Sequence, residues 1–113
     1  MQFSHLQVHT QFSLLDGAAD IGNLYKKALV HNMPAIAITD HGNMFGAFQF
    51  VAEAYKHKND DGTLKVKPIV GCEFYVVPDR TKKAFTKEDK DKRNHQLLLA
   101  KNAEGYKNLI KLC

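Results

Sequence analysis

Ala35-Ile36-Ala37-Ile38-Thr39-Asp40-His41-Gly42-Asn43 decides how this chain is to be read. A short apolar run ends in an acid, an imidazole and a glycine. Ala35 to Thr39 reads as a strand buried on both faces. Gly42 permits a tight exit from it. Asp40 and His41 then stand at the carboxyl end of a buried strand, where α/β sheets and barrels place their sites.

Working outward, Asp20 is a good N-cap for an upstream helix. Ile21, Leu24, Tyr25, Ala28 and Leu29 form its apolar stripe, and it ends near Asn32, before Pro34. Further upstream, Phe3, His5, Gln7 and His9 alternate with Ser4, Leu6 and Val8. Period two predicts a strand with Gln7 and both histidines on one face. Ser13 to Gly17 ends in Asp-Gly, a turn signal.

Downstream, Ala47, Phe50, Val51, Ala54 and Tyr55 predict a helix from about Phe45 to about His57. Asn59-Asp60-Asp61-Gly62 is a turn. Pro68 to Val77 is strand-like, with Gly71 marking a bend or a close approach. Pro78 to Asn94 is rich in Lys, Arg and Asp and reads as an exposed, flexible loop; Arg80, Lys82, Lys83 and Arg93 offer contact with a phosphate backbone, but the interspersed Asp79, Glu88, Asp89 and Asp91 favour a merely solvated loop. His95 to Ala100 predicts another buried strand. Tyr106, Leu109, Ile110 and Cys113 give the inner stripe of a last helix. This order is an α/β pattern with mostly parallel pairing. The last two strands lack a helix between them and so fit an antiparallel hairpin.

The 113 residues suffice for one small domain but are few for a complete barrel. Apolar content of 44% and charged content of 25% are ordinary for a globular chain. No apolar run is long enough to span a bilayer, and the first residues lack signal-peptide character. Cys72 and Cys113 make no disulfide framework, so a reducing cytoplasm is the expectation. A net charge of +4 allows a polyanionic partner, though an ordinary solvated surface is the favoured explanation.

His9, Asp16, Asp40, His41, Glu73 and His95 carry the chemical interest. Imidazole nitrogens and carboxylate oxygens suit Zn, Mn or Fe. Metals bridged by a carboxylate generate hydroxide and clamp a phosphate ester, with Glu73 the bridging candidate. Taken singly, each residue has a plainer explanation. Asp16 also reads as a turn former, and Asp40 either caps the next helix or orients His41 by a hydrogen bond. Glu73 is harder to explain away, because an unpaired buried carboxylate is costly. His31 and His57 read as surface residues at helix ends. Cys72 alternates with Glu73 and is expected to point into apolar packing. There is no phosphate-cradling glycine loop, and Ser4 and Ser13 have no distinctive context.

The stretches His5–Ala18, Ala37–Gly46, Ile69–Val76 and His95–Asn102, with Gly105-Tyr106, resemble a known family. They are similar to the opening of the PHP (polymerase and histidinol phosphatase) domain of bacterial DNA polymerase III alpha subunits. The likeness covers essentially the whole chain, residues 1–113, in order. It implies the N-terminal portion of a distorted (β/α)7 barrel with a rim site for up to three divalent metals. The family's motifs fall on His9, Asp16, His41, Glu73 and His95. In a simple hairpin His95 would lie beside Val77, far from Glu73. Where the family has the first His of His-x-His, this sequence has Gln7, a poor ligand for borderline metals. The family domain also continues past the equivalent of Cys113, with later ligands and the polymerase active site beyond it.

The resemblance implies DNA replication and a DNA-directed DNA polymerase (a nucleotidyltransferase) as parent. DNA and other replicase subunits, including a proofreading exonuclease subunit, are the implied partners. Within it, a structural and interaction module with a weakened metal site is expected. The alternative is a metal-dependent 3′–5′ exonuclease or phosphoesterase. A stand-alone histidinol-phosphate-type phosphatase is disfavoured by the polymerase-like sequence between the ligands. An incomplete barrel would expose sheet edge and apolar surface, so self-association is expected as well.

Overall fold

A computed structural model describes residues 2–15 and 17–113. The expected cap forms: the Asp20 carboxylate accepts from the Asn23 backbone N–H at 3.1 Å. Helix α1 follows over Ile21–Val30 and buries Ile21, Tyr25 and Ala28. Asn32 ends the turn with φ at 52°. Strand β1 spans Ala35–His41, so Asp40 and His41 belong to its last two positions. Helix α2 spans Ala47–Tyr55, a shorter range than its apolar pattern suggests. Gly46 offers no side chain to cap it, and the Phe45 N–H is taken instead by Asn43 Oδ1 at 3.2 Å. Strands β2 (Lys67–Val76) and β3 (Asn94–Leu99) come next. Helix α3 (Ala103–Leu112) is capped by Asn102, which accepts from the Gly105 N–H at 2.9 Å.

The sheet has the order β1-β2-β3. Strands β1 and β2 are parallel, in a register that sets His41 beside Glu73. Strands β2 and β3 are antiparallel, with Tyr75 beside His95. The hairpin expectation holds, but the sheet is mixed rather than mostly parallel. Gly71 is a point of close approach, since a Cβ there would lie 2.5 Å from the Leu98 carbonyl oxygen.

Three expectations need correction. Residues 3–9 are extended but outside the ladder. The Ala37 N–H donates to His5 O and the Thr39 N–H to Val8 O, so three residues of the segment oppose two of β1. The Val8 N–H bonds the Thr39 hydroxyl at 2.8 Å instead of a backbone carbonyl, which breaks the pairing. Strand β3 is not buried: it is the sheet's edge, and His95 and Gln96 are exposed. His57 is half-buried rather than superficial. Its ring stacks on Tyr25 at 6.1 Å and its Nε2 lies 3.2 Å from Glu53 Oε1.

The core joins α1, β1 and α2 through Ile21, Tyr25, Ile36, Ile38 and Phe50. Both helices thus cover one side of β1 and leave its carboxyl end as a rim. Among the described residues, no helix is long and apolar enough to cross a membrane.

Candidate metal centre

Glu73 is the hub of this rim, with only 4% of its surface exposed. Four side chains converge on it. His9 Nε2 hydrogen-bonds Oε2. His41 Nε2 lies 3.8 Å from the same oxygen. His95 Nδ1 lies 3.1 Å from Oε1. Gln7 Nε2 donates to Oε1 at 3.5 Å.

Each arrives by a different route. His41 and Glu73 are side by side because parallel pairing matches their positions. The Gly42 N–H donates to the Glu73 carbonyl oxygen at 2.9 Å, and its φ of +64° gives the sharp exit from β1. His95 pairs with Tyr75, two residues from Glu73, so pleating returns it to the same face. It therefore does not lie beside Val77, as a simple hairpin would place it. Gln7 and His9 are spaced by two in an extended segment and both reach the carboxylate, as their alternation predicts. Asp16 lies outside the described residues.

Burial is the largest single influence on the Glu73 carboxyl and opposes its ionisation. The His9 hydrogen bond and the charges of His41, His9 and His95 together outweigh it, holding the carboxyl below the usual glutamate range. His9, His41 and Glu73 each offer a ligand atom, and these atoms lie within 4.8 Å of one another. Ligands at about 2.1 Å from a zinc-like ion stand up to about 4 Å apart. A small side-chain movement therefore closes the three onto one ion. An ionised carboxylate and two imidazoles are also the right donors for a borderline divalent metal.

Asp40 does not cap the next helix, and its link to His41 runs through Ser13. It is buried, and its carboxylate accepts from the Thr10 N–H at 2.6 Å, the Thr10 hydroxyl at 2.8 Å and the Ser13 hydroxyl at 2.7 Å. Ser13 Oγ in turn accepts from the His41 N–H at 3.1 Å. Asp40 thereby fastens the turn after His9 to the end of β1, and reaches the His41 backbone through Ser13. Asn43 adds a strap by donating to the Phe12 carbonyl oxygen at 3.0 Å. Thr10, Ser13 and Asn43 were not singled out from sequence. The available signal was Asp40 itself, since a buried carboxylate requires donors.

A family model for the PHP domain matches residues 5–113. The chain belongs to the PHP domain family. Curated relatives of this PHP chain are bacterial DNA polymerase III alpha subunits. It is 48% identical over 113 residues to that of Borreliella burgdorferi, covering 98% of this chain and 9% of the relative. The Aquifex aeolicus subunit is 46% identical, with 97% and 9% covered. That of Chlamydia trachomatis is 40% identical, with 99% and 8% covered. The PHP chain thus spans less than a tenth of the length of these three relatives.

Proposed function

We propose that this chain is the opening part of the PHP domain of a bacterial replicative polymerase alpha subunit, within a distorted (β/α)7 barrel. Its role there is mainly architectural. It supports the polymerase and holds other replicase subunits, with the proofreading exonuclease subunit the foremost of them. DNA is engaged by the whole subunit in the cytoplasm. The rim keeps a reduced site for Zn, Mn or Fe, with His9, His41 and Glu73 as ligands and Asp16 and His95 completing them.

The observation that carries this reading is the place of Gln7. Its amide N–H points at Glu73 Oε1, on the oxygen opposite the one His9 engages. A donor aimed at that oxygen competes with a metal there, and a neutral amide binds borderline metals poorly. One metal position is therefore weak.

A second reading, a metal-dependent 3′–5′ exonuclease or phosphoesterase, draws on the convergence of His9, His41 and Glu73. The test is metal analysis of protein purified without chelator, wild type beside Gln7→His. The architectural reading expects at most one metal per chain in wild type and additional metal in the variant. Two or more metals in wild type, with hydrolysis of a 3′-ended oligonucleotide, would establish the enzymatic reading instead. No metal in either protein would remove His9, His41 and Glu73 as ligands.

A further inference from the structure

The chain's positive charge is not spread evenly. Between Pro78 and Asn94 stand seven Lys or Arg and four Asp or Glu, so this loop holds three of the four net charges. On sequence grounds the interspersed acids argue for a merely solvated loop. In the folded chain those acids are largely consumed by the loop itself. Asp79 accepts from the Thr81 N–H at 2.9 Å and from its hydroxyl at 2.6 Å. Asp89 is paired with Lys82, and Asp91 with Arg93. Arg80, Lys83, Lys87, Lys90 and Lys92 make no ion pair among the described residues and face solvent.

The loop folds over a cleft of about 530 Å³ whose walls include Tyr75, Phe85, Arg80, Lys83 and Arg93. That volume lies in the range of small-ligand sites. Tyr75 is 49% exposed and Phe85 46%. The Arg93 guanidinium lies 4.8 Å from the Tyr75 ring centre, and Lys82 Nζ 5.6 Å from that of Phe85. Tyr75 also meets His95 at 4.8 Å and His41 at 5.6 Å between ring centres. Tyr75 is thus shared between the cleft wall and the histidines around Glu73.

We infer that this cleft is a binding surface for single-stranded nucleic acid, with bases stacking on Tyr75 and Phe85 and phosphates held by Arg80, Lys83 and Arg93. Exposed aromatic rings among cations, of which Arg80 and Lys83 make no ion pair among the described residues and Arg93 is shared with Asp91, are the combination that grips a single strand without reading its sequence. A duplex hides its base faces and leaves the rings unused. An acidic protein surface satisfies the cations but has no use for the rings. The inference adds to the metal-site reading, because a strand held on Tyr75 presents a phosphate to the His41–His95 side of the cluster. Binding itself needs no metal, so the two readings fail separately.

The test is fluorescence anisotropy of a labelled 12-nucleotide oligo(dT) with the full chain, in EDTA, across a salt series. Three proteins are compared: wild type, Tyr75→Leu, and the triple variant Arg80→Ser/Lys83→Ser/Arg93→Ser, whose changes lie in an exposed loop. Circular dichroism checks that each is folded. The expected result is salt-sensitive binding, with a log–log salt slope shallower by about 2 in the triple variant. Tyr75→Leu is expected to weaken binding about tenfold. Poly-glutamate binding as tight as oligo(dT) would overturn the inference in favour of an acidic protein partner. Duplex binding as tight as single-strand binding, or affinity unmoved by Tyr75→Leu, would overturn it too. If oligo(dT) binds as expected while metal analysis finds no metal, the cleft stands and the metal site falls.

Discussion

At the scale of single residues, Asp40 does more for the site than its position in sequence suggests. Three donors meet its buried carboxylate, and one of them, Ser13, holds the His41 backbone. Asp40→Asn puts an N–H₂ against donors and is expected to cost about 2 kcal/mol or more, read as a lower urea midpoint. Ser13→Ala should cost about 1 kcal/mol by the same measurement. Tyr25 offers the opposite case. Its ring packs on Phe50 at 5.1 Å, but its buried hydroxyl makes no hydrogen bond among the described residues. Burial, and then the Glu53 charge, raise this phenol well above its ordinary range. The unfolded chain releases that proton from about pH 10 upward while the folded chain retains it, so stability falls there. Tyr25→Phe is expected to gain about 1 kcal/mol at neutral pH and to flatten the alkaline loss. Cys72 behaves similarly. Burial first, and then the neighbouring Cys113 thiol, push it up to about 12. Stability therefore also declines from about pH 8.5, the unfolded thiol's value, toward 12. Thiol labelling at pH 7.5 should modify exposed Cys113 quickly and reach Cys72 only on unfolding.

At the scale of elements, the legible parts were those whose cause is local. Asp20 and the stripe from Ile21 fix α1, and the Ala35 run with its terminal Asp-His-Gly fixes β1. The convergence of Gln7 and His9 on Glu73 also follows from alternation, even though their segment lies outside the ladder. What was not legible depends on pairing at a distance. A 17-residue loop (77–93) does not dictate how β3 registers on β2, so the closeness of His95 to Glu73 could not be read from spacing. The partners of Asp40 stand 30 and 27 residues before it. Only the closed structure brings them together. Gly71 is a position where the β2–β3 pairing tolerates no side chain. A methyl group there would press on the Leu98 carbonyl oxygen and on Thr39 Cγ2 of β1, at 2.5 and 3.1 Å. Gly71→Ala is expected to cost about 1–3 kcal/mol, measured by thermal melting, by wedging the middle strand from both neighbours.

At the scale of the molecule, the radius of gyration is 16.4 Å, against about 13 Å for a compact domain of this length. The excess reflects an elongated shape, 60 × 27 × 26 Å along the principal axes, and the fold also leaves apolar surface uncovered. Phe45 and Phe48 are 77% and 84% exposed, and an apolar groove of about 720 Å³ runs between α2 and α3 over β2. The outer edge of β3 is also unpaired among the described residues. This PHP chain is therefore expected to bind a hydrophobic dye and to gain mass with concentration in light scattering. A concentration-independent monomer mass would refute that.

The way Glu73 gathers its neighbours has a consequence in time. His9 and Glu73 are 64 residues apart, and His41 and His95 come from two further segments. Contacts of such long sequence separation form only after the intervening chain has been closed into loops. The four groups are accordingly expected to meet only once both strand pairings exist. A nascent chain carries these side chains without carrying the constellation. Its appearance marks the moment at which the sheet is complete.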